Sequence, residues 1–294
     1  MIRHCRFAAF VLAAASSAAP LFAETAPASP PAAPGATVVR FEHDPLGGGP
    51  HAFVAEGETD ARFVYVADIP ARFPTDRRGS LRVLYDTTLP TGRISLPIDT
   101  VLATDGDFSF GAVMTIHSDG FVADPNGFSQ VAFGLWNAHT TGLGRTLFPS
   151  DSYDLVEFDW FANVGEFGGP FLSPSIFGGN VGNNAFFNFG FASTETTLPL
   201  DTPLLCHAVY RAADRRLTVT VHRYASGMVF TEIPGAKVTV DLSTLSPGFL
   251  VDVLGIAAYG EGWPSLHATV DYDLLYIGPV PEPLRTARGA RVQR

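Results

Sequence analysis

The chain has 294 residues, 46% apolar and 16% charged, with 24 Phe, so it carries enough apolar side chain for a sizeable core and excludes wholesale disorder. Its 19 Lys and Arg stand against 29 Asp and Glu, a formal −10 at pH 7. That balance argues against nucleic acid and anionic membrane surfaces as partners, since both repel an acidic chain. The length suits one large all-β domain.

Residues 1–23 read as a secretory signal: Arg3 and Arg6 make a short basic start, 7–15 are apolar, and small residues run to Ala23. The expected location is therefore secreted, extracellular or periplasmic. Removing this segment lowers the bases from 19 to 17 against 29 acids, a net of −12. Cys5 goes with it, leaving Cys206 in the apolar run L-L-C-H-A-V-Y. That cysteine has no intramolecular partner, so it reads as a buried, inert thiol and the core alone must hold the fold. Residues 24–36, rich in Pro and Ala, read as an extended disordered linker.

From residue 37 the chain alternates short β-branched and aromatic runs with turn residues, the pattern of an antiparallel sandwich rather than of βαβ units. Strands are predicted at 37–42, 62–67, 80–86, 107–117, 128–136, 153–162, 184–192, 204–211, 215–224, 236–241, 249–258 and 266–277. The turn Asp124-Pro125-Asn126-Gly127 predicts that 107–117 and 128–136 are neighbours, and Ala213-Asp214-Arg215 closes 204–211 onto 215–224. In 215–224, Leu217, Val219 and Val221 alternate with Thr218, Thr220 and His222, one face core and one wet. The run 249–258 is almost continuously apolar and predicted to be central. Residues 165–184, rich in Gly, Asn and Pro, are too long for an ordinary connection and read as a binding loop or flap. Residues 279–294 form a basic tail, predicted to be disordered.

The stretch that carries chemistry is Y-D-L-V-E-F-D-W-F-A-N, residues 153–163. Side chains alternate across a strand, so Glu157 and Asp159 share one face about 7 Å apart while Val156, Phe158 and Trp160 take the other. Upstream, F-G-L-W-N-A-H-T-T-G-L-G-R-T brings Trp136, Asn137, His139 and Arg145 near one strand end. Trp136 is either a platform for a sugar ring or a core residue, and Arg145 either pairs with Glu157 or Asp159 or reaches a ligand. Tyr259 and Trp263 flank Gly260-Glu261-Gly262, a loop suited to an exposed aromatic. No Gly-x-Ser-x-Gly elbow, His-Glu-x-x-His helix or Cys/His zinc spacing is present.

The order of strands, the Gly-Asp-Phe opening at 106, the Glu157-Phe158-Asp159 strand and the closing V-D-Y-D-L-L-Y-I-G together resemble the concanavalin A-like lectin/glucanase superfamily, over residues 37–278. The resemblance implies an all-β, antiparallel two-sheet jelly-roll sandwich. Legume-lectin-like domains carry Glu-x-Asp-x-aromatic-x-Asn on a metal strand, and Glu157, Asp159, Phe161 and Asn163 fall at that spacing. The family's follow-on Asp and His are replaced here by Gly168 and Ser173, so no metal or other cofactor is expected. The glucanase branch needs Glu-x-Asp-x-Glu, or one bulged residue, to set two carboxyls about 5 Å apart. Phe161 and Ala162 stand where the third acid belongs, so no catalytic residue is assigned.

The function implied is a secreted, non-catalytic, lectin-like domain that recognises a polysaccharide in a groove on one sheet. Its ligand residues would be Glu157, Asp159, Asn163, Trp136, Asn137, His139, Arg145 and Trp263. The alternatives are a polysaccharide-degrading hydrolase or lyase, and a structural envelope or matrix protein. The Val280-Pro281-Glu282-Pro283 box before four arginines resembles the start of the bacterial PEP-CTERM sorting signal. The apolar span that should follow is missing, so stable membrane insertion is not expected.

Overall fold

The computed structural model describes residues 37–48, 52–67, 79–138, 154–164, 168–178, 189–190, 192–225, 229–245, 248–281 and 284. All of them lie within Pro31–Arg294. The expected signal, the linker and tail residues 285–294 lie outside the described residues.

In chain order the strands are β1 (Thr37–Arg40), β2 (Val54–Gly57), β3 (Phe63–Ala67), β4 (Gly79–Asp86), β5 (Gly92–Ala103), β6 (Phe108–Ile116), β7 (Val122–Ala123), β8 (Phe128–Trp136) and β9 (Leu155–Val164). They continue with β10 (Phe171–Leu172), β11 (Ser175–Phe177), β12 (Phe189–Gly190), β13 (Thr194–Glu195), β14 (Leu204–Arg211), β15 (Arg216–Ala225), β16 (Val229–Asp241), β17 (Leu250–Ala258) and β18 (Leu266–Ile277). They form two antiparallel sheets. The first runs β16-β15-β14-β6-β18-β4-β3, with β1 and β7 also on β18; the second runs β12-β11-β9-β8-β17-β5-β2, with β10 between β9 and β13.

The period-2 pattern decides what lies between the sheets. Val156, Phe158 and Trp160 of β9 face inward with Leu217, Val219 and Val221 of β15. Phe133 stacks on Phe158 at 4.9 Å and meets Phe110 of the opposite sheet edge-on at 6.2 Å. Each such ring contributes about 2 kcal/mol of burial. Cys206 is buried in the same core, where burial pushes its thiol well up and leaves it inert.

Several features depart from the sequence-based expectations, among them β10 and β11, which fall within the 165–184 stretch expected to be a loop. The 107–117 and 128–136 strands are not neighbours: β6 lies between β14 and β18, and β8 between β9 and β17. The Asp124 turn therefore carries the chain from one sheet to the other, which turn chemistry alone does not reveal. Strand β5 was not foreseen, because Pro97 interrupts its run; the register to β17 shifts between Val251 and Val253, beside the Pro97 pairing, and such an irregularity tolerates a missing N–H. Strand β16 begins at Val229 rather than 236. By contrast, β17 is central, between β8 and β5, as its apolar run predicts.

Packing continues past residue 278. Gly278, at φ 100°, donates from N to the Ser109 carbonyl and accepts from the Ser109 hydroxyl, both at 2.7 Å. The chain then lays Val280 and Leu284 against Val113, Leu205, Phe230, Leu274 and Tyr276 on the outer face of the first sheet. Leu284 is buried, so Leu284→Ala is expected to lower stability by about 2–3 kcal/mol, read as a lower urea midpoint at unchanged slope.

Candidate functional site

Glu157 and Asp159 do share the outer face of the second sheet, opposite the core-facing Val156, Phe158 and Trp160. Both carboxylates are fully buried. Glu157 Oε1 accepts from the Tyr259 hydroxyl at 2.5 Å, and Asp159 Oδ2 accepts from the Ser175 amide at 3.0 Å. The register row Ser95, Gly255, Gly134, Glu157, Ser175 crosses five strands. Two adjacent glycines make a floor here. A Cβ on Gly255 would come within 2.4 Å of the Trp136 ring, and one on Gly134 within 2.9 Å of Glu157 Cγ, so these side chains lie down across the neighbouring strands.

Trp136 is therefore core-like, 1% exposed and packed with Leu155, Phe177 and Val253. The Arg93 guanidinium lies 5.7 Å from its ring centroid, a cation–π contact that also places Arg93 3.4 Å from Glu56. In this arrangement the face supplies packing and hydrogen bonding beneath the surface. Neither Glu157 nor Asp159 is exposed on it to a substrate.

The remaining expected ligand residues separate. Asn137 follows Trp136, whose strand partner is Leu155; Asn163 pairs with Ser129 near the far end of β9. Eight residues at a strand rise of about 3.3 Å put the two ends roughly 26 Å apart. His139 and Arg145 lie outside the described residues. The metal set implied by the resemblance does not fit either: Glu157 and Asp159 are committed to Tyr259 and Ser175, and the described residues contain no cluster of three His, Cys, Asp or Glu able to hold an ion.

Trp263 is different. It is 53% exposed, against 1% for Trp136 and 3% for Trp160, whose indole N–H donates to the Thr196 carbonyl. It sits on the β17–β18 loop, at the end where Asp124 N bonds the Ser265 carbonyl. Exposed Val122, which pairs with His267, and part-exposed Glu261 lie at the same end. Burial pushes the Glu261 carboxyl above its ordinary value, offset in part by the Ser265 hydroxyl that donates to Oε2 at 2.7 Å. An apolar indole beside hydrogen-bonding groups is the chemistry that receives a sugar ring, whose C–H face stacks while its hydroxyls find acceptors.

That loop is tied to buried Thr87. The Thr87 hydroxyl donates to the Trp263 carbonyl at 2.8 Å and accepts from the amides of Ser265 at 2.8 Å and Leu266 at 3.1 Å. The Thr87 carbonyl accepts from the amides of Glu261 and Gly262. Beneath it, the fully buried Arg62 donates to four carbonyls: Nε to Pro90, Nη1 to Leu84, and Nη2 to Asp86 and Leu89, at 2.7–3.1 Å. Burial lowers the Arg62 pKa, and Asp86 partly restores it. Nothing in T-D-A-R-F or Y-D-T-T-L distinguishes Arg62 or Thr87 as sequence.

No protein-family model and no curated protein matches the sequence. Solved structures do. The chain is similar to lectin II from Ulex europaeus, at 17% identity over 83% of this chain and 97% of that one, with a TM-score of 0.46. It is also similar to the Emp47p carbohydrate recognition domain, at 13% identity over 76% and 99% with a TM-score of 0.44. A third is the exoplasmic/lumenal domain of VIP36 in its Ca2+/Man-bound form, at 11% identity over 74% and 83%, also at 0.44.

Proposed function

We propose that this protein is a secreted, lectin-like domain that binds a neutral face of a polysaccharide without cleaving it, and that the contact is made at the Trp263 loop rather than over Glu157 and Asp159. The observation that carries this reading is the exposure of one tryptophan out of three on a loop tied down by hydrogen bonds at both its backbone and its flanks. A rigid indole stacks on a ring with little loss of conformational entropy, which is what a weak, shallow glycan contact requires. The absence of catalysis is supported by the burial of Glu157 and Asp159, since a general acid or nucleophile must reach its substrate. The signal-like residues 1–23 support secretion.

The test is retardation of the purified protein in gels containing soluble polysaccharides, with reducing and unsaturated ends assayed in the same samples. Retardation without product is expected. Trp263→Ala should abolish it, a loss of at least about tenfold in affinity, while thermal stability stays within about 0.5 kcal/mol because the ring is exposed. Product release would identify an enzyme instead, and silence of the wild type on both readouts would identify a structural protein.

A further inference from the structure

We infer that Thr87 is the positioning residue of the Trp263 loop, its single hydroxyl holding the indole-bearing backbone in the orientation that a ligand meets. The inference rests on the functional reading only for its consequence in binding; the positioning itself is a matter of geometry. Thr87 ends the β4 side of a turn, 176 residues before Trp263, and no strand pairing joins the loop carbonyl of Trp263 to it. One buried oxygen donates to the Trp263 carbonyl and accepts the Ser265 and Leu266 amides, the two N–H groups that follow the aromatic. The Ser265 hydroxyl lies 3.2 Å from the same oxygen and reaches on to Glu261. Thr87 thus couples the stacking group and the neighbouring carboxylate through one atom.

The support beneath this atom is itself fixed. Arg62 gathers the carbonyls of Leu84, Asp86, Leu89 and Pro90, so the turn that carries Thr87 is closed around a guanidinium. Gly260 adds a tie on the other flank, donating from N to the Thr91 hydroxyl at 2.9 Å. A site precise enough to bind needs such a supporting shell beneath the residues that touch the ligand. Here that shell comes from sequence positions 62–91, far from the loop it holds.

Thr87→Val keeps the shape and the backbone carbonyl while removing the hydroxyl; Thr87→Ser restores the hydroxyl. Amide hydrogen exchange, resolved by residue, tests the role without any ligand. In Thr87→Val, exchange at Ser265 and Leu266 should accelerate at least about tenfold, the loss of a hydrogen bond being of that order. Glu261 and Gly262, which bond the Thr87 carbonyl, should stay slow. Acrylamide quenching of Trp263 should rise in Thr87→Val, and both readouts should return to wild type in Thr87→Ser. Unchanged exchange at Ser265 and Leu266 overturns the inference. So does equal acceleration at all four amides, which would mean that the valine merely loosens the turn. Failure of Thr87→Ser to restore the wild-type pattern overturns it as well. Gel retardation on the same polysaccharide panel then separates the two conclusions. If the amides respond as expected while the wild type binds no glycan, the functional reading fails and the positioning role stands.

Discussion

Arg62→Met is expected to destabilise the protein by about 4 kcal/mol, a large fraction of the stability of an ordinary domain. Arg62 is fully buried and donates to four carbonyls within 2.7–3.1 Å. Methionine fills the volume but leaves those acceptors in an apolar interior with no donor, and each orphaned acceptor costs about 1–3 kcal/mol. Arg62→Lys is expected to recover only part of the loss, because an ammonium cannot span carbonyls from Leu84 to Pro90 with the planar fork of a guanidinium. Chemical denaturation of the two variants checks this. A midpoint for Arg62→Met within error of wild type would mean that water replaces the guanidinium.

Stability should also fall on acidification through His207. Burial, then the neighbouring His222, depresses the His207 pKa to about 4 from an ordinary 6.5. Its Nδ1 is hydrogen-bonded to the Tyr276 hydroxyl at 2.8 Å, across Gly111, which lies between the two strands' registers; a Cβ there would sit 2.4 Å from that hydroxyl. The neutral ring is the one the fold accommodates. The unfolded chain takes up a proton near pH 6.5 and the folded one does so only near pH 4. This contribution is therefore complete above pH 6.5 and lost as the pH falls toward 4, about 3 kcal/mol over the full range. His222 is lowered by burial too, with Glu232 opposing, and acts in the same direction. Urea unfolding at pH 7 and pH 4.5 should show a shallower pH dependence for His207→Gln than for wild type. Parallel dependences would exclude His207 as a source.

The strand at 153–163 shows where a sequence reading succeeds and where it stops. Alternation placed Glu157 and Asp159 on one face and Val156, Phe158 and Trp160 on the other, because side-chain direction in a strand is a local, period-2 property. Whether that face is open is not local. Gly134 and Gly255, on different strands, lie in register and let Glu157 and Trp136 fold down across them, and Tyr259, 102 residues on, supplies the hydroxyl to Glu157. Likewise the sequence around Trp136 leaves both a platform and a core residue open, while Leu155, Phe177 and Val253 decide for the core. The four-residue turn at Asp124 announced a reversal of the chain but not the change of sheet, by which β6 pairs with β14 and β18 while β8 pairs with β9 and β17.

By itself the sequence determined an all-β, two-sheet sandwich, the inward faces of the 153–163 and 215–224 strands, the burial of Cys206 and an acidic charge balance. These depend on periodicity, composition and turn chemistry, all of which act over a few residues. Only the tertiary structure decided that the paired carboxylates are interior and that Trp263 is the exposed indole. It alone showed Arg62 and Thr87 holding the Trp263 loop, and Val280 and Leu284 closing an apolar patch on the outer face of the first sheet. Each of these is a contact between segments tens to hundreds of residues apart, set by sheet order and strand register, and neither order nor register is written in any single strand.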